Sequence, residues 1–107
     1  MSLRELGKEF DELRAEYRRT MPEKLQRMEK FWAIVGGSRA VGPALGELCR
    51  ELHTIAGSAG SFGLPDLSKA ALAAENHLIA SSSIGAAERA TMDRLLEEMK
   101  KASLPPS

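Results

Sequence analysis

The stretch Pro43-Ala44-Leu45-Gly46-Glu47-Leu48-Cys49-Arg50-Glu51-Leu52-His53-Thr54-Ile55-Ala56-Gly57-Ser58-Ala59-Gly60-Ser61-Phe62-Gly63 decides the fold. Leu45, Leu48, Leu52, Ile55, Ala59 and Phe62 recur at alternating three- and four-residue steps, which draws one apolar stripe along a helix. Pro43 suits the first turn, and Gly63 suits a left-handed cap at the end. Upstream, Gly36 to Gly42 reads as a loop. Before it lie two stripes, Leu3, Leu6, Phe10, Leu13, Tyr17 and then Met21, Leu25, Met28, Trp32, Val35. Thr20 three residues before Glu23, with Pro22 between them, reads as a capping box, so a break or kink is expected near residue 20. Downstream, Pro65 opens a helix striped by Leu67, Ala71, Ala74 and Leu78. Ser81 to Gly85 reads as a short loop, and Met92, Leu95, Leu96 and Met99 stripe the last helix.

Helices with one apolar face and short connections pack as a bundle. The expectation is therefore all-α, an up-and-down antiparallel four-helix bundle with an extra N-terminal helix that either joins the core or extends one of its members. Residues 1–102 form the single domain and 103–107 a flexible tail. The chain has 107 residues, enough for one core. Fifteen basic residues balance fifteen acidic ones, so no net field draws nucleic acid or an anionic membrane. Apolar runs of five residues at most do not span a bilayer. The N-terminus lacks a signal-like apolar region, and the lone Cys49 suits a reducing compartment, so the expected location is the cytoplasm.

His53 lies about 100° around the helix from the core residue Leu52, at the edge of the buried stripe. Gly57 follows one turn later and Gly60 nearly another, so the imidazole stands over a row without side chains, with Arg50 one turn before it. An imidazole near its ordinary pKa of about 6.5 has a free ring nitrogen for attack or proton transfer. The outer nitrogen attacks only if the inner one holds the proton, which a carboxylate or amide from a neighbouring helix would ensure. The bland account is a solvated surface histidine, with glycines marking tight helix packing or an early helix end. Neither a serine–histidine–acid order nor a phosphate-binding glycine loop is present. Cys49 and His53 are half of a metal site at best, His77 reads as a surface residue, and no metal or other cofactor is expected. Phe31 and Ile34 flank the second stripe and either widen the buried face or form an exposed patch near His53.

From His53 to Leu64 the chain resembles the histidine phosphotransfer (HPt) domain of bacterial two-component phosphorelays. The family pattern runs His-x-Leu/Ile-Lys-Gly-Ser/Ala, two small residues, then Ser-x-Gly-Leu. The resemblance continues to Glu75 and, more loosely, over the whole helical layout. It implies that His53 carries a phosphoryl group between receiver-domain aspartates. It also implies that Gly57 leaves room for the receiver, and that Glu75 orients the imidazole through its inner nitrogen. The implied partners are response-regulator receivers or a hybrid histidine kinase, with metal and acid–base groups supplied by the receiver. The protein is then a phosphocarrier and not an enzyme, free-standing and monomeric. One departure stands out: Ala56 occupies the family's lysine position. Arg50 or Lys69 is the candidate replacement for that charge. A rival reading, motivated by Ala56, is a helical module that docks a receiver or kinase without phosphotransfer; a third is an unrelated structural bundle.

Overall fold

The computed structural model describes residues 2–36, 43–81 and 84–104. Four helices follow one another: α1 (Leu3–Gly36), α2 (Pro43–Ser58), α3 (Pro65–Ala80) and α4 (Ala86–Ser103). No strand occurs among the described residues. Each helix packs on its two neighbours in a ring, α1 on α2 and α4, α3 on α2 and α4. The core is drawn from the expected stripes: Met21, Leu25, Met28, Trp32 and Val35 of α1 face Leu48, Leu52 and Ile55 of α2, with Leu67, Ala71, Ala74, Leu78, Met92, Leu95, Leu96 and Met99 completing it. Trp32 satisfies its indole N–H with Asp93 Oδ1 at 2.8 Å, so the largest core residue carries no orphaned donor.

The N-terminal segment is not a separate helix but an extension of the first bundle helix, one of the two arrangements expected for it. Residues 3–36 form one helix that passes through Pro22. Thr20 makes no capping box; its hydroxyl donates to the Tyr17 carbonyl at 3.2 Å. The reason lies in the spacing. Tyr17, Met21 and Leu25 are four residues apart, so the two stripes share one face and a continuous helix serves both. Partners also advance in opposite chain order on facing helices. Tyr17 meets Ser58 while Arg27 meets Glu51, and Ala56 meets Ser68 while His53 meets Glu75.

The turn that follows α2, residues 59–63, closes on the expected glycine cap. Gly63 has φ +83, the one positive φ among the described residues. The Leu64 N–H donates to the Ala59 carbonyl at 2.8 Å and the Gly63 N–H to the Gly60 carbonyl at 3.2 Å, the paired bonds of a Schellman motif. Pro65 then opens α3 in its first turn. At α4 the Glu88 carboxylate accepts the Gly85 N–H at 3.0 Å, satisfying one donor at the helix start. The loop expected at Gly36–Gly42 is helical at Gly36 and otherwise lies outside the described residues, as do Ser82, Ser83 and the end of the expected tail, 105–107. α4 runs to Ser103, one residue past the expected domain boundary. No described helix is long and apolar enough to cross a membrane.

Candidate functional site

Leu52 and Ile55 are fully buried, which turns the opposite face of α2 outward. His53 sits at its edge with 78% of its side chain exposed. Glu75 of α3 is buried, although it is a carboxylate. Its Oε2 lies 2.9 Å from His53 Nδ1. An ionised carboxylate only accepts, so in the neutral imidazole this contact puts the hydrogen on Nδ1 and the free lone pair on Nε2. Nδ1 is the ring nitrogen nearer the backbone, so the free nitrogen is the outer one.

Three further hydrogen bonds surround this residue, two of them tying α2 to its neighbours. Ser68 of α3 donates to the Ala56 carbonyl at 2.6 Å. Ser58 donates to the Thr54 carbonyl at 2.7 Å. Its only hydrogen being committed there, Ser58 accepts from the Tyr17 hydroxyl of α1 at 2.8 Å. Burial pushes the Tyr17 pKa above its ordinary value, against the lowering effect of Ser58. Phe62, from the turn after α2, stacks on Tyr17 with ring centroids 4.4 Å apart. Thus both neighbours fix α2 near His53. Sequence reasoning missed Tyr17, Ser58 and Ser68 in this role, because a hydroxyl gives no sign in sequence of which helix it will meet.

Gly57 is exposed, and a Cβ built there would meet no atom within 4 Å. At Gly60 the nearest atom would be the Ser68 hydroxyl at 4.0 Å. Neither glycine serves tight internal packing, and neither has positive φ. The helix-packing and cap accounts of these two residues therefore fail, and an open strip beside His53 is what remains. Leu72 and Ile79 precede and follow Glu75 by three and four residues, on its face of α3, and are 48% and 70% exposed. These two apolar residues lie off the α3 core stripe, the signal by which sequence alone could have found them.

The cations are placed differently. Arg50 is exposed and pairs with Glu47 at 3.0 Å, one turn before it. Lys69 lines a shallow groove between α3 and α4 with Asp66, Glu98 and Lys101. Ala56 is half-buried against the core. Cys49 is half-buried at the core edge, and burial, with the Glu75 charge, raises its thiol pKa. His77 is half-buried, its Nε2 covered and without a hydrogen-bond partner. Phe31 packs against the core as the widened face requires. Ile34 is 57% exposed but lies nearly two turns beyond Arg27, which pairs with Glu51, and so away from His53.

No curated protein and no solved structure matches the chain significantly. The family described as Hpt domain matches residues 12–103, most of the chain and every residue of the His53 site. The chain belongs to the Hpt domain family, whose members pass phosphoryl groups through a histidine in two-component signalling.

Proposed function

We propose that His53 carries a phosphoryl group between the aspartates of receiver domains, on an up-and-down antiparallel bundle in the cytoplasm. One observation carries the reading: an exposed imidazole whose inner nitrogen is held by the buried Glu75 at 2.9 Å. The Nε2 lone pair attacks the phosphorus of an aspartyl phosphate. A P–N bond forms, the P–O bond to aspartate breaks, and the aspartate leaves as a carboxylate. The resulting imidazolium is stabilised by Glu75 through Nδ1. The reverse step loads the next receiver. The receiver brings the metal ion and acid–base groups, so this chain acts as a phosphocarrier and not as an enzyme. Gly57 and Gly60 give the receiver a bare strip, and Leu72 and Ile79 give it apolar contact. Of the two candidates for the charge of the family lysine that Ala56 replaces, Arg50, one turn before His53, is the better placed, and Lys69 lines the α3–α4 groove.

Ala56 favours one rival, a module that docks a receiver or kinase without transfer. The test mixes the protein with phosphorylated receivers and follows label on wild type and on His53→Ala. Acid-labile, base-stable label on wild type alone supports transfer. Receiver binding without label on either protein supports the rival.

A further inference from the structure

Hydroxyl groups in this bundle mostly serve their own helix. Thr20, Thr54, Ser58, Ser81 and Ser103 each donate to a carbonyl three or four residues back in the chain. That is the ordinary habit of serine and threonine on a helix. Ser68 of α3 departs from it. Its hydroxyl crosses to α2 and donates to the Ala56 carbonyl at 2.6 Å, the one hydroxyl-to-carbonyl bond between helices among the described residues. The acceptor is a particular one. The main-chain bonding of α2 ends with the Ala59 N–H on the Ile55 carbonyl at 2.9 Å. Ala56 therefore carries the first carbonyl that the N–H groups of α2 leave open, and Ser68 fills it. Ala56 is half-buried against the core, so losing this donor would strand a partly desolvated acceptor.

We infer that Ser68 is a positioning residue for His53: by pinning the end of α2 to α3, it keeps the imidazole on Glu75 with the hydrogen on Nδ1. The inference rests on the phosphocarrier role proposed above for His53. Ala56 lies three residues after His53, within one turn, and both tethers of this flank come from α3, Ser68 on Ala56 and Glu75 on His53. Glu75 holds only the ring of a side chain that is 78% exposed. Ser68 holds main chain, so it restrains the helix that carries the ring. A slide of α2 along α3 by about 1 Å would stretch the Ser68 bond past hydrogen-bonding length, and would do the same to the 2.9 Å contact of His53. Ser68 also borders the strip left open to a receiver, because its hydroxyl is the nearest atom to a Cβ built at Gly60, at 4.0 Å.

Nitrogen-15 shifts of the neutral His53 ring test this, since they distinguish Nδ1–H from Nε2–H and are assigned by their loss in His53→Ala. Wild type should hold the Nδ1–H form. Ser68→Ala should shift the ring toward Nε2–H, and so should Ser68→Cys, which replaces the hydroxyl by a weak donor. In both, phosphoryl transfer at saturating phosphorylated receiver should slow roughly tenfold, the scale at which loss of a supporting hydrogen bond is felt at a reactive group. Ser68→Thr keeps the hydroxyl and should restore tautomer and rate. Trp32→Phe, which removes the bond to Asp93 across α1 and α4, controls for a general loss of stability. A wild-type tautomer or a wild-type rate in Ser68→Ala, shown to be folded by circular dichroism, overturns the inference. So does a Trp32→Phe that shifts the tautomer as far. A wild-type chain that takes no phosphate overturns the phosphocarrier reading instead, and the tautomer, read without any receiver, then decides alone for or against Ser68.

Discussion

Gly57 and Gly63 stand six residues apart near the end of α2, and a methyl group means opposite things at the two. At Gly57 a Cβ meets open space in ordinary backbone, so Gly57→Ala should stabilise the fold by about 0.5–1 kcal/mol. Gly57→Leu should fold equally well but slow phosphoryl transfer from a receiver, because the cost falls on the partner. At Gly63, φ is +83, and a Cβ would also touch Arg14 and Arg18 at 3.9 and 3.7 Å. Gly63→Ala should lose about 1–2 kcal/mol, read from urea midpoints. Cys49 gives a second residue-scale test. Its raised pKa keeps the thiol protonated to higher pH, so the pH midpoint of alkylation should lie above that of a free cysteine thiol. Glu75→Gln removes the nearby negative charge and should lower that midpoint, though not fully, since burial is the larger cause. For the fold the sign is a loss at high pH: a raised native pKa leaves stability intact below the unfolded thiol value and erodes it as pH rises through the native one. The roles proposed for His53, Gly57 and Glu75 were readable through the family pattern. The 2.9 Å contact was not, because it joins helices twenty-two residues apart in sequence.

Among the elements, α1 shows how a strong local signal loses to a continuous face. Pro22 removes the N–H that would bond the Arg18 carbonyl, a cost of roughly 3 kcal/mol in a helix interior. Thr20 and Glu23 offered a second start. Buried Met21, Leu25 and Met28 outweigh both, since each fully buried side chain contributes about 1.5–3 kcal/mol. Pro22→Ala should therefore raise stability by about 1–3 kcal/mol, seen as an increase of several degrees in Tm without a change in helix boundaries. A fall in Tm would show that Pro22 relieves a bend the bundle needs. α2 and α3 were more legible, because their boundary carries signals that agree: Gly63 for the left-handed cap and Pro65 for the next start.

At the scale of the whole molecule, a bundle under 30 Å across carries an α1 that stretches the longest dimension to 54 Å. Removing residues 2–11 should change the stability of the dilute protein by less than ~0.5 kcal/mol, because those side chains are exposed. A large loss of stability would place that segment inside the cooperative fold.

The helical class, the core stripes and the proposal of His53 as the phosphoaccepting residue came from the sequence, because periodicity and a compact motif are local and lie within one helix. Whether Leu3 to Leu13 were core or surface was not local. That stripe has the same period as the buried ones, and only the shorter α2, α3 and α4 leave it uncovered. The tertiary structure also decided which cations stand where: Arg50 answers to Glu47, and Lys69 lines the α3–α4 groove. A charged side chain on a helix surface reports its angle in the sequence, but its partner depends on which neighbour the packing brings alongside.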